Sequence, residues 1–92
     1  MESNEGRAQR LLSELGRKID ELSLKIKDKA KEKGVDLDAE VEKLKRERER
    51  LEEEVRDFRD KNEPRFRNMV DHLEKACQEL GRAAEALFKK YN

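Results

Sequence analysis

The sequence predicts an all-α fold, an antiparallel three-helix bundle or coiled coil, and three observations carry that prediction. Half of the 92 residues are charged, 34% are hydrophobic and one is proline, a balance that suits long amphipathic helices. Apolar residues recur in alternating steps of four and three along three separate stretches, the spacing that keeps one helix face turned toward its neighbours. Between the stretches stand a break at Gly34 and another at Pro64, residue types that end or restart helices. The expected helices cover residues 6–33, 37–61 and 64–91 of one domain spanning 1–92. Each would run about 38–42 Å, so the three match end to end.

The first helix follows a short frayed start, Met1 to Gly6, in which Ser3 or Asn4 is available as a cap. Ala8, Leu12, Leu15, Ile19, Leu22 and Ile26 hold one heptad frame, and Lys29 and Lys33 are expected to close that seam with polar residues. Lysines crowd its C-terminal end, which suits the negative pole of the helix dipole. Gly34 then supplies a left-handed stop. Leu24 falls off the seam and is expected in solvent.

The second helix follows a turn in which Asp36 or Asp38 can cap it. So short a connection makes the first two helices antiparallel neighbours. Leu37, Val41, Leu44, Leu51, Val55 and Phe58 form its seam, interrupted by Arg48, whose stem can pack while its charge reaches water. The remainder is nearly all charge. Opposite signs at spacing four, as in Glu42 with Arg46, Lys43 with Glu47, Arg50 with Glu54 and Asp57 with Lys61, describe a solvated face.

Pro64 divides the second helix from the third. The apolar frame restarts out of phase at Phe66, and proline is tolerated in a first helical turn, so a corner near Lys61 to Glu63 is the economical course. The alternative is a helical hairpin with a long, Pro-kinked second helix, stable as an oligomer. Phe66, Val70, Leu73, Cys77, Leu80, Ala84, Leu87 and Tyr91 form the third seam without a miss, and Met69, Ala76, Ala83 and Phe88 widen it. Such a face serves two neighbours at once, or one neighbour and a partner. Phe66, Met69, Val70, Leu73, Cys77, Leu80, Leu87, Phe88 and Tyr91 are therefore the candidate partner or oligomer face. Glu14-Leu15-Gly16-Arg17 is echoed by Glu79-Leu80-Gly81-Arg82; a chance echo is the favoured reading in so repetitive a helical sequence, and a close backbone approach at the two glycines is the alternative.

Convergent chemistry is scarce. His72 falls on the outside of the third helix and Cys77 on its core face, so they form no ligand pair. The sequence contains no glycine-rich phosphate loop, no HExxH and no nucleophile elbow. No enzyme activity, metal or cofactor is expected. Lys plus Arg equals Asp plus Glu at 23 each, without the basic excess that phosphate-backbone binding uses, so nucleic acid is disfavoured as a partner. The acids Asp36, Asp38 and Glu40 at the hairpin tip are explained by helix capping. A single cysteine and a polar start, MESNEGRAQR, point to a soluble cytoplasmic protein.

The stretches KIDELSLKIKDKA, EVEKLKRERERLEEEV and LEKACQELGRAAEALFKKY resemble a group of small, uncharacterised bacterial coiled-coil proteins rich in Lys and Glu. Phe66 and Cys77 stand where that group carries tryptophan. The resemblance implies a helical fold and no assigned activity. The expected function is a non-enzymatic structural or protein-interaction module, weakly homo-oligomeric, with self or another helical protein as partner. The alternative is an amphipathic protein whose third helix lies on a lipid surface, flanked by Arg65, Arg67, Arg82, Lys89 and Lys90.

Overall fold

The computed structural model describes residues 3–59 and 65–92. It contains three helices, α1 (Asn4–Lys33), α2 (Asp38–Arg59) and α3 (Phe66–Tyr91), and no strand among the described residues. α1 begins at Asn4, earlier than expected, because Ser3 is extended and its hydroxyl accepts the Gly6 N–H at 3.0 Å. Its 30 residues give about 45 Å at helical rise, close to the 49 Å long axis of the molecule.

α1 ends as expected. Gly34 is left-handed at φ 67°, its N–H bonds to Lys31 O, and Val35 N–H reaches back to Ala30 O at 2.9 Å. That pairing is a Schellman closure, and it satisfies carbonyls the helix would otherwise leave open. Asp36, not Asp38, then braces the next helix, with Oδ1 accepting the Asp38 N–H at 3.0 Å. α3 runs from Phe66, with Arg65 offering no side-chain cap and no acid in the first turn. Burial holds this helix in place of terminal chemistry. The expectations that set a corner at Lys61 to Glu63, put Pro64 in a first helical turn, seat Phe58 in the core and pair Asp57 with Lys61 fall outside the described residues.

The three helices pack up, down, up as a three-helix bundle. α1 and α3 run parallel: Arg7 meets Asp71 and Glu74, and farther along Lys18 meets Glu85. α2 runs against both, so that Arg48 reaches back to Asp20. The core has two parts. Ala8, Leu15, Ile19, Leu44 and Val55 pack with Phe66, Val70, Leu73, Cys77, Leu80 and Ala84. At the hairpin end Ile26, Ala30, Leu37 and Val41 pack with Leu87, Phe88 and Tyr91. The α1 seam departs from expectation at its end, where Ala30 is buried and Lys29 pairs with Glu32 at 3.6 Å. Ser23, two turns earlier on the same face, is also buried, because a straight helix of period 3.6 drifts off a 3.5-residue frame. Leu24 is 69% exposed, as expected.

α1 makes its broadest seam with α3, while α2 and α3 share the thinnest. The cross-section is accordingly flattened, 23 by 15 Å. The polarity of α2 leaves grooves on both of its flanks, toward α1 and toward α3.

Candidate interaction surface

One groove is a trough between α2 and α3. α2 offers Leu51 there and little else apolar, since Glu47, Arg50 and Glu54 occupy the turns on either side. α3 answers with Ala76, Leu80 and Ala83, and the alanines are too short to reach across. A trough of about 300 Å³ remains, floored by these side chains and rimmed by Glu47, Arg50, Glu54 and Glu79. It continues past Leu51 and Ala76 toward Met69 and His72. Arg50 and Glu54 face water and pair with each other at 3.4 Å, the expected pair at spacing four.

The nine residues expected to form a partner face fall in three places. Phe66, Val70, Leu73, Cys77 and Leu80 are buried in the main core. Leu87, Phe88 and Tyr91 are half-buried against the hairpin end. Met69 is half-buried and lines the trough. The trough floor of Leu51, Ala76 and Ala83 lay in no such set, although Met69, Ala76 and Ala83 recur every seven residues and so share one edge of the α3 stripe.

A larger groove of about 770 Å³ runs between α1 and α2 past Leu12, Gly16, Leu24 and Val55. Of its three acids, Asp20 and Glu52 are engaged by Arg48, at 3.0 and 3.6 Å, and Glu21 lines the groove beside them. Arg48 is thus the core-edge residue the sequence suggests, with its stem packed over Gly16, its Nε buried and its Nη1 reaching the exposed Asp20. The alternative of a close backbone approach at the glycines is not what the structure shows. A β-carbon at Gly16 would meet only the Arg48 side chain, at 3.6 Å, and one at Gly81 only the Lys18 side chain, at 3.4 Å.

The electrostatics follow these contacts. The hydrogen bond from Lys18, reinforced by its charge, holds the Glu85 carboxyl below its ordinary pKa. The bonds to Asp71 and Glu74 raise the Arg7 pKa further above its ordinary value. Burial pushes the Cys77 thiol up to about 11. Among the described residues no cluster of three or more His, Cys, Asp or Glu is placed to hold a metal ion, and no helix is long and apolar enough to cross a membrane. No family model, curated protein or solved structure matches the chain.

Proposed function

We propose that the protein is a non-enzymatic structural or protein-interaction module that acts through helix-to-helix contacts, with the α2–α3 trough as its contact surface. One observation carries this reading. Along the trough the small apolar floor of Leu51, Ala76 and Ala83 lies beneath a rim of Glu47, Arg50, Glu54 and Glu79. A small-residue floor admits another helix at short interaxial distance, and a charged rim gives it register. In this reading the protein is a cytoplasmic subunit, spacer or adaptor making coiled-coil contacts, a role in keeping with the resemblance to small bacterial coiled-coil proteins.

The lipid-surface alternative makes a different demand on the molecule. Phe66, Val70, Leu73 and Leu80 would have to leave a core in which they are buried. A photo-cross-linking amino acid at Ala83, introduced in cells that make the protein, separates the two. The module reading expects discrete protein adducts that disappear when Ala76→Glu places a charge on the trough floor. Lipid adducts, or no adducts, would overturn it.

A further inference from the structure

We propose that a second copy of this chain docks along the α2–α3 trough, with the α2 helices of the two copies antiparallel about a two-fold axis. The inference rests on the trough being a helix-binding surface and adds the identity of the occupant.

The argument is one of charge register. Lys43, Glu47, Arg50 and Glu54 follow one another at steps of four, three and four, so they form a single column along α2. Glu47, Arg50 and Glu54 of that column line the trough, and Arg50 and Glu54 are 79% and 56% exposed. The signs along the column alternate, plus, minus, plus, minus. A parallel second copy in the same register would set like on like at each step. An antiparallel copy centred between Arg48 and Glu49 does the opposite. Lys43 then faces Glu54 of the second copy, Glu47 faces its Arg50, and the two-fold axis repeats both pairs. A surface that complements itself in this way is what an isologous dimer requires.

The floor fits the same occupant. Ala76 and Ala83 are small and Leu51 is half-buried, so an incoming α2 can approach closely, and the stem of its Arg46, opposite Leu51 in this register, can lie over the leucine. The chain carries equal numbers of basic and acidic residues, 23 of each, so no net repulsion opposes self-association.

Sedimentation equilibrium of the purified full chain at low salt is the test, with circular dichroism melts confirming that each variant folds. The wild type is expected to dimerise, with a dissociation constant that rises with added salt. Glu47→Arg and Arg50→Glu each place like charges opposite one another twice per dimer and are expected to weaken it by about tenfold or more. The double variant restores opposite signs across the axis and is expected to recover to within about threefold of wild type. It does so although it worsens the pairing with Lys43 and Glu54 inside its own helix, so helix stability cannot account for recovery. Should the double variant fold poorly, Lys43→Glu with Glu54→Lys poses the same question at the outer pair. A monomer at every concentration, a dimer indifferent to the single changes, or a folded double variant that stays dissociated would each overturn the proposal. Protein adducts at Ala83 in cells, from a chain that is monomeric when pure, would leave the trough as a binding surface for another protein and remove the second copy as its occupant.

Discussion

Arg48 lies across Gly16, its Cδ and Nη1 each 3.6 Å from where a β-carbon would stand, and its guanidinium ends on Asp20, one turn farther along α1. The same arrangement recurs between α1 and α3, where Lys18 crosses Gly81 and ends on Glu85, again one turn beyond the glycine. The repeated Glu-Leu-Gly-Arg segments are thus used alike: each glycine gives a flat patch for a long cationic side chain, and the acid four residues on receives its charge.

Neither patch needs a glycine for space. A methyl group at Gly16 or Gly81 meets only a flexible side chain at van der Waals distance. Gly16→Ala and Gly81→Ala are each expected to stabilise the fold by about 0.5–1 kcal/mol in urea denaturation, the helix-propensity difference. Gly34→Ala moves the other way by about 1 kcal/mol, because φ is +67° there. A loss at Gly16 or Gly81 would mean that the cationic crossings cannot shift.

Ser23 is 3% exposed and its Oγ has no hydrogen-bond partner. An unpaired buried hydroxyl costs free energy that a methyl does not, and alanine is the better helix former. Ser23→Ala is expected to raise stability by about 1 kcal/mol in the same experiment. An unchanged or lower midpoint would show that the hydroxyl is bonded in solution.

Leu80 sits in the main core and His72 on the surface at the trough edge. Leu80→Asp buries a carboxylate and removes packing, a loss of about 4 kcal/mol or more from a fold whose total is about 5–15 kcal/mol. Cooperative thermal unfolding should vanish or shift far down. His72→Ala should stay within about 0.5 kcal/mol of wild type. Equal losses would contradict the assignment of helix faces.

Glu85 titrates below its ordinary value because Lys18 bonds its charged form. A depressed folded pKa means that the pair adds stability above the unfolded value of about 4.3 and loses it as pH falls through the folded pKa. Carboxyl chemical shifts followed by NMR should place Glu85 below about 4.3, and Lys18→Ala should bring it back. An unchanged titration in the variant would remove Lys18 as the cause.

Cys77 is 8% exposed, and burial raises its thiol to about 11. At pH 8 about one molecule in a thousand carries the thiolate, against about a quarter for a free cysteine, so alkylation of the folded protein should be about two hundredfold slower than in urea. The raised pKa also makes stability fall as pH climbs from about 8.5 toward 11, because the unfolded thiol ionises first. Rapid alkylation in buffer would show that α3 opens readily.

Most of the bundle was legible in the sequence because the signals for it are local. The apolar frame through Ile19 and Ile26, that through Val41 and Leu44, and that through Val70, Leu73 and Leu80 predict the buried faces. The Schellman closure at Gly34 and the exposure of Leu24 follow from single positions in those frames. The candidate face was less legible. Frame membership says that a residue faces inward, and Phe66, Val70 and Cys77 do; it does not say which neighbour covers it or whether the cover is complete.

By itself, then, the sequence determined the helices, their stops and which stripe of each turns inward, since period and turn chemistry act within a few residues. Only the tertiary structure decided that α1 and α3 share the broadest seam, that Lys18 and Arg48 cross Gly81 and Gly16, that Ser23 is enclosed, and that the α2–α3 seam stays open over Ala76 and Ala83. Those outcomes depend on the relative rotation and spacing of all three helices, and each helix sets its own against two neighbours at once.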